Sequence, residues 1–293
     1  MENTQKAGFV AIVGRPNAGK SSLLNWLVDE KIAMVSKKAN ATRKRANIIV
    51  MHKNTQIIFV DTPGIHEKER ALNKFMLNET MKAIGDCDLV LFLAPAQDSL
   101  INYEKFLNIN QNKKHIVLLT KTDESTKEQI LNKLHEYSIY SDKYEAIFPI
   151  SIKNRSDKNY LLDLLEKFIP NHPFLFDPEI ITTQMIREIY KEFIREAIFE
   201  YTSDEVPYSS DVNIEKIEES EKLEKIFATI IVEKESQKAI MIGKNADTLK
   251  RIGKHSRLMI EDLSGKKIYL KLQVDINTNW TKNEQKLKKY NYF

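Results

Sequence analysis

A single cysteine, Cys87, occurs in the 293 residues of this chain. One thiol closes no internal disulfide and supplies no cluster of thiolate ligands. It precedes Leu89-Val90-Leu91-Phe92-Leu93, an apolar run of strand length, so a place in the core is expected. The six histidines are scattered without zinc-ligand spacing. No apolar stretch is long enough to cross a bilayer, and the N-terminus carries nothing that resembles a signal peptide, so a cytoplasmic protein is expected. Internal repeats and low-complexity blocks are missing too. What remains is ordinary for a folded chain: 42% hydrophobic residues, and a length that suggests two domains each able to bury a core.

Against that background three short motifs recur in a fixed order. Phe9-Val10-Ala11-Ile12-Val13 reads as a buried strand, and Leu23, Leu24, Trp26 and Leu27 recur at helical spacing. Between them lies Gly14-Arg15-Pro16-Asn17-Ala18-Gly19-Lys20-Ser21, the strand–loop–helix context of a P-loop. Its backbone N–H groups can turn inward around phosphate oxygens, and the helix N-terminus adds favourable dipole charge. Lys20 is assigned to the outer phosphates and the Ser21 hydroxyl to Mg²⁺, with Ser22 beside it in the nucleotide site.

A second apolar run, Ile57-Ile58-Phe59-Val60, ends in Asp61-Thr62-Pro63-Gly64. Asp61 at a strand end can hold Mg²⁺ through water, and the Gly64 N–H can meet a γ-phosphate. The tetrapeptide is also an ordinary turn sequence, but its place after a strand and downstream of a P-loop favours the nucleotide. A third run, His115 to Leu119, ends in Thr120-Lys121-Thr122-Asp123. The Asp123 carboxylate can accept from guanine N1–H and N2–H₂, a donor pair that adenine lacks, so one side chain selects GTP or GDP. The Lys121 stem can lie along the base, and Thr120 stands where the common form of this motif has asparagine. Ala146-Ile147-Phe148-Pro149-Ile150 reads as a last strand, and Ser151-Ile152-Lys153 after it supplies a backbone N–H for guanine O6.

The basic stretch Lys37 to Arg45 lies between the first helix and the next strand, where a loop faces the γ-phosphate. Thr42 is expected to complete Mg²⁺ coordination when GTP is bound. Arg43, Lys44 and Arg45 suit RNA, a protein partner or plain solvation equally. Ile65 follows Gly64 where Ras-like enzymes place a water-orienting glutamine. An isoleucine orients no water, so another device is needed, and the Asn17 amide oxygen could hold a K⁺ ion beside the phosphates. The catalytic set is then Lys20, Thr42, Gly64 and Asn17, with slow intrinsic hydrolysis expected.

These residues resemble the TRAFAC class of GTPases and, within it, the Era family of bacterial ribosome-assembly GTPases. The resemblance is carried by residues 14–25, by Lys38-Ala39-Asn40-Ala41-Thr42-Arg43 and by Val60-Asp61-Thr62-Pro63-Gly64-Ile65-His66. Era chains usually have two threonines before the arginine, and here Ala41 replaces the first. The resemblance implies an α/β P-loop GTPase domain over residues 1–170, with a mostly parallel sheet flanked by helices. A linker over 171–178 follows, and then a smaller α+β type II KH domain over 179–293. It further implies a GTP-hydrolysing switch, using Mg²⁺, that binds small-subunit (16S) ribosomal RNA near its 3′ end and assists 30S assembly. A monomer with peripheral contact at the inner face of the cell membrane is part of the same expectation.

The second half supports an RNA role on its own terms. Residues 171–233 hold six Lys+Arg against fifteen Asp+Glu, whereas residues 234–293 hold fourteen against six. A basic segment beside an acidic one suggests a polyanion-binding face. The pattern reads helix (about 180–201), strand (about 211–217), strand (about 226–233), helix (about 246–258) and strand (267–275), then an amphipathic tail beginning at Trp280. Gly243-Lys244-Asn245-Ala246 occupies the place of a KH Gly-x-x-Gly loop, with Ala246 where the second glycine belongs. Lys250 and Arg251 follow on the helix, so Gly243, Lys244, Asn245, Ala246, Lys250 and Arg251 form the expected RNA contact. The rival reading is a membrane-surface signalling GTPase whose basic C-terminal face meets anionic lipid, although no lipidation motif supports it.

Overall fold

The computed structural model describes residues 4–36, 38, 42–64, 71–203, 205–290 and 292. Ile65 and His66, and Lys37 with residues 39–41 of the basic stretch, lie outside the described residues. The chain divides into two compact units: Met1–Glu30, Thr42–Glu67 and Met76–Thr183 form one, and Lys31–Ala41, Lys68–Phe75 and Gln184–Phe293 the other.

In the first unit the apolar runs become strands β1 (Lys6–Val13), β2 (Ala46–His52), β3 (Thr55–Asp61), β4 (Leu89–Pro95), β5 (His115–Thr120) and β6 (Ala146–Pro149). They form one sheet in the order β2-β3-β1-β4-β5-β6, parallel throughout except for β2, which runs antiparallel to β3. Every residue of β3 and β4 is buried, as expected of parallel strands covered on both faces. The helices are α1 (Lys20–Val28), α2 (Ala71–Asp86, of which the part from Met76 belongs to this unit), α3 (Ile101–Leu107), α4 (Lys127–Ser138) and α5 (Ser156–Glu166). Ala11, Val13, Phe92 and Val117 pack against Ile84, Tyr103, Phe106 and Tyr137 of α2, α3 and α4, with Cys87 in the same core. Burial pushes the Cys87 thiol up, away from thiolate.

The parallel register fixes the site. Ile12 stands beside Asp61, Val13 beside Phe92 and Pro95 beside Thr120. The loops after β1, β3, β4 and β5 therefore leave one end of the sheet together, where open α/β sheets bind ligands. The segment 171–183, part of which reads as a linker, runs along the β2–β3 edge of this unit. Buried Gln56 accepts from the backbone N–H of Leu175 (2.8 Å) and Phe176 (3.0 Å) and donates to Phe176 O (2.8 Å). Ile49 N donates to Ile181 O at 2.9 Å.

The second unit contains α6 (Ile186–Tyr201), β7 (Asp211–Glu219), β8 (Leu223–Val232), α7 (Glu235–Ile242), α8 (Asp247–Ser264), β9 (Lys267–Ile276) and α9 (Glu284–Lys289). Its sheet runs β7-β8-β9, with β8 and β9 parallel across the α7–α8 crossover. Several of these elements differ from the sequence reading; β8, for one, begins at Leu223 and not near 226. The first helix starts at Ile186, because residues before it pair with β2. Residues 235–242 form a helix that the sequence pattern does not separate. The next helix runs on to Ser264, where Gly265 takes the left-handed conformation (φ 67°) that ends it.

Ile194, Ile198, Ile226, Ile230, Ile252 and Ile260 form the core of this unit. Ile240 and Leu258 are 49% and 51% exposed. The tail is anchored by buried polar groups: the Trp280 indole N–H donates to Ser209 O at 3.0 Å, and Tyr292 OH donates to Asp211, which also pairs with Lys191. Within the same unit, Glu196 of α6 takes Lys31 Nζ (2.7 Å) and Val35 N (3.1 Å), and Lys38 Nζ donates to the carbonyls of Phe199 and Thr202. That places a cation at a helix C-terminus, where the dipole favours it.

Candidate nucleotide site and nucleic-acid groove

The phosphate loop is held from within. Lys20 is buried, and its amine donates to the carbonyls of Gly14 (3.2 Å) and Arg15 (3.1 Å). Burial pushes the Lys20 amine down to about 8, against the pull of Asp61. Gly14 has no room for a side chain, since a Cβ there would fall 2.8 Å from Leu93 O. Gly19, at φ 100°, and Asn17, at φ 61°, take the left-handed turns that bend the loop onto α1. Ala18 is fully buried, and Ser22 is half-buried in the first turn of α1.

Ser21 Oγ and Thr42 Oγ1 lie 3.2 Å apart, and Thr42 Oγ1 donates to Asp61 Oδ2 at 3.2 Å. All three expected metal ligands thus converge on one point from α1, from the loop before β2 and from the end of β3. Two hydroxyls and a carboxylate that is 2% exposed make a hard, oxygen-only donor set, which fits a small divalent cation. Thr62 is turned away and donates to Ile12 O at 2.6 Å, while Thr80 donates to Pro63 O at 3.0 Å. These bonds fix the turn that carries Gly64. A Cβ on Gly64 would fall 2.9 Å from Pro16 N, so only glycine lets the two loops meet.

At the other end of the site, Thr120 Oγ1 donates to Ala18 O at 3.0 Å. The hydroxyl ties this loop to the phosphate loop from the position where asparagine is usual. Lys121 adopts φ 58°. Asp123 accepts from Ser151 Oγ at 2.8 Å and pairs with Lys153 Nζ at 2.5 Å. The Lys153 and Ser151 hydrogen bonds hold the Asp123 carboxyl below the usual carboxylate range, and Asp123 raises Lys153 in turn. Ser151 N is itself held by Asp157 at 3.0 Å, whereas the Ile152 side chain is 42% exposed. Arg15 takes no part in this; its guanidinium forks onto Asp98, with NH2 to Oδ1 at 2.7 Å. Asp98 carries no motif signal.

In the second unit Gly243 (φ 74°), Asn245 (φ 54°) and Ala246 (φ 61°) turn the chain sharply between α7 and α8. A Cβ on Gly243 would sit 2.9 Å from Thr248 N, so this first loop glycine is required. Ala246 adopts the left-handed conformation of a second loop glycine despite its methyl group, at roughly 1 kcal/mol. Beside the loop runs a groove of about 380 Å³ between α8 and β9. Leu249, Leu270 and Leu272 give it apolar walls, and Lys250, Lys254 and Arg257 give it charge. Ala246 also lines it, and Gly253 brings α8 close to Leu272. Lys250 folds back onto Asn245 O at 3.1 Å. Lys244 and Arg251 are not among its lining residues, and Arg251 pairs with Asp247 at 2.8 Å. Lys254, Arg257 and Tyr269 of this groove fall outside the expected contact set. The spacing 250, 254, 257 along one helix face is the signal that could have found the first two.

A glycine loop able to cradle phosphate, a hard oxygen-only corner and a carboxylate suited to a guanine edge, together at one end of a parallel sheet, fit one class: a guanine-nucleotide-binding protein. Residues 9–121 match the family described as 50S ribosome-binding GTPase, and residues 205–281 match the KH domain. GTPase Era of Campylobacter fetus is 51% identical over 284 residues, covering 97% of this chain and 98% of that one. GTPase Era of Helicobacter pylori (strain G27) is 48% identical over 292 residues, covering 98% and 97%. The chain belongs to the Era family of GTPases. Two solved structures share the whole fold at 32% identity, each covering 98% of this chain and 99% of the other. One is a point variant of Aquifex aeolicus Era bound to GDP·AlF₄⁻, with a TM-score of 0.94. The other is Era in complex with MgGDPNP and nucleotides 1506–1542 of 16S ribosomal RNA, with a TM-score of 0.93.

Proposed function

We propose that this chain is a GTP-hydrolysing switch that binds small-subunit ribosomal RNA near its 3′ end through its KH unit and assists 30S subunit assembly. The observation that carries this reading is the coexistence in one chain of two sites. One is the Lys20–Ser21–Thr42–Asp61 corner with a guanine-selective Asp123, and the other is a cationic groove beside a KH loop. The relative crystallised with MgGDPNP and 16S RNA supports the pairing of ligands.

In this reading the backbone of residues 14–19 and the Lys20 amine hold the phosphates. Asp123, braced by Ser151, reads the base edge, with Lys121 along the ring and the 151–153 backbone at O6. Ser21, Thr42 and Asp61 would hold Mg²⁺, which neutralises charge on the β- and γ-phosphate oxygens when bound. Gly64 N–H meets the γ-phosphate. Asn17 is the residue assigned to a K⁺ ion. Lys250, Lys254 and Arg257 follow the RNA backbone, with Lys244 and the Gly243–Ala246 loop clamping it. The functional division is a nucleotide domain to residue 170, a linker over 171–178 and the RNA-binding domain beyond. Among the described residues no helix is long and apolar enough to cross a membrane.

Coupling has a route in sequence, because Lys31, Val35 and Lys38, bonded to α6 or to the residue after it within the second unit, lie shortly before Thr42 in the chain. The test is GTP hydrolysis in K⁺ and in Na⁺ buffer, with and without an RNA matching the 16S 3′ end, alongside RNA affinity with a GTP analogue and with GDP. RNA-stimulated turnover and tighter binding in the GTP-analogue state are expected. Equal RNA affinity in both nucleotide states would remove the switch, since a ligand shifts an equilibrium only through differential affinity.

A further inference from the structure

Arg15 stands in the middle of the phosphate loop, where a cation would be expected to face phosphate. Instead its Nε and NH2 engage both oxygens of Asp98, and NH1 folds back to Pro16 O at 2.7 Å. All three guanidinium nitrogens are thus used inside the protein, in the bidentate geometry that gives carboxylate pairs their directionality. We infer that the turn after β4, Ala96-Gln97-Asp98, is a brace that fixes the phosphate loop against the guanine-reading loop, with Asp98 as a positioning residue acting through Arg15.

Three sets of contacts carry this. First, the fork holds the Arg15–Pro16 peptide from one side, and Gly64 closes on Pro16 from the other, with no room for a Cβ. Displacing Pro16 therefore displaces Gly64, whose N–H is assigned to the γ-phosphate. Second, the same turn reaches the base side: Ala96 N donates to Thr120 O at 2.9 Å, and Gln97 Nε2 donates to Glu124 O at 2.8 Å. Third, Asp98 N donates to Pro95 O at 2.9 Å, and Pro95 is paired in register with Thr120, so the turn is itself rigid. Together with the bond from Thr120 to Ala18, the two loops and this turn close a ring of contacts. Asp98 supplies geometry to the reaction and Arg15 supplies no charge to the phosphates. Solvent exposure of 33% for the Arg15 side chain and 17% for Asp98 leaves the pair partly shielded from screening.

The inference rests on residues 14–21 being the phosphate cradle. Lys20→Ala checks that reading separately, because it should abolish GDP binding whether or not Asp98 matters. The experiment measures kcat and KM for GTP, per nucleotide-binding site, and GDP affinity for Asp98→Ala, Asp98→Asn, Arg15→Ala, Arg15→Lys and the Arg15→Ala/Asp98→Ala pair. Asp98→Ala and Arg15→Ala should each lower kcat about ten-fold at saturating GTP, while GDP affinity falls less than about three-fold, since small displacements act most on the reacting geometry. The double variant should be no worse than either single one. Arg15→Lys keeps the charge but loses the fork, so it should fall with Arg15→Ala. Asp98→Asn keeps one acceptor and the side-chain shape, so it should lie between wild type and Asp98→Ala and carries the test if the alanine variant does not fold. Rescue by Arg15→Lys, additive losses in the double variant, or an unchanged kcat per site would overturn the inference.

Discussion

The nucleotide region and the α8–β9 groove hold their residues in opposite ways. Around the nucleotide site the motif residues bind one another: Ser21 meets Thr42, Thr42 meets Asp61, Thr120 meets Ala18, and Ser151 meets Asp123. Along the groove the cations Lys250, Lys254 and Arg257 stand on one exposed helix face, and the contact of Lys250 is local, to its own loop at Asn245 O. An interlocked site depends on residue identity at every position. An electrostatic face depends on how much charge lies along it, and tolerates change in which residue supplies that charge.

The largest expected effect breaks the interlock at its base-reading end. Asp123→Asn replaces an acceptor-only carboxylate by an amide that turns a donor toward guanine N1–H or N2–H₂. GDP affinity should fall about 10²- to 10³-fold, because a site built to hydrogen-bond one base edge discriminates strongly against a mismatched one. Xanthosine diphosphate, which carries a carbonyl where guanine has its amino group, should lose much less. Equilibrium binding of the two nucleotides checks this, and an equal loss for both would show that Asp123 only braces its loop through Ser151 and Lys153.

A smaller effect tests the open face. Lys254 lines the groove and Arg251 does not, although both lie on α8. Lys254→Ala should weaken RNA binding about five-fold and lower the slope of log affinity against log salt by about one, as loss of one phosphate contact does. Arg251→Ala, which breaks an exposed pair, should change affinity less than about two-fold. A salt titration of RNA binding for both variants decides, and an Arg251 loss as large as that of Lys254 would move the contact surface away from the groove.

The same contrast explains what is legible in the sequence. The strand–loop–helix around Gly14 to Ser21, the aspartate ending β3 and the placing of Asp123 at the end of a strand–turn motif follow from the sequence, because each needs particular residue types at a fixed spacing, whereas the bond from Ser151 to Asp123 does not. Asp98 cannot be read that way: its partner Arg15 is 83 residues distant, and only the register of β4 against β1 and β5 brings it there. Thr120 reads as a departure from the usual asparagine, yet its hydroxyl reaches Ala18 O, a contact that no one-dimensional pattern contains. In the second half, amphipathic periodicity locates α8 but not its end at Gly265. It also passes over α7, whose eight residues are too few for periodicity to declare. Residues 180–183 share an apolar pattern with α6 and read as part of it. Pairing with β2 draws them out, a tertiary effect that local propensity does not register.

Lys20 sharpens the comparison by a proton, because burial makes the nucleotide site sensitive to pH. Its folded value of about 8 lies below the ordinary lysine value of 10.5. Below pH 8 the folded chain therefore carries the full cost of a buried ammonium. Between pH 8 and 10.5 the unfolded chain holds a proton that the folded chain has released, so this group makes the nucleotide-free protein more stable as pH rises through that window. Bound phosphates oppose the release by favouring the charged amine, so GDP binding should take up a fraction of a proton at about pH 8.5. Affinity should then weaken about four-fold between about pH 7 and about pH 8.5. Calorimetry in two buffers of different ionisation enthalpy measures the uptake directly. Lys20→Arg, which does not titrate in this range, should bind GDP without it; uptake of the same size in that variant would place the proton elsewhere in the site.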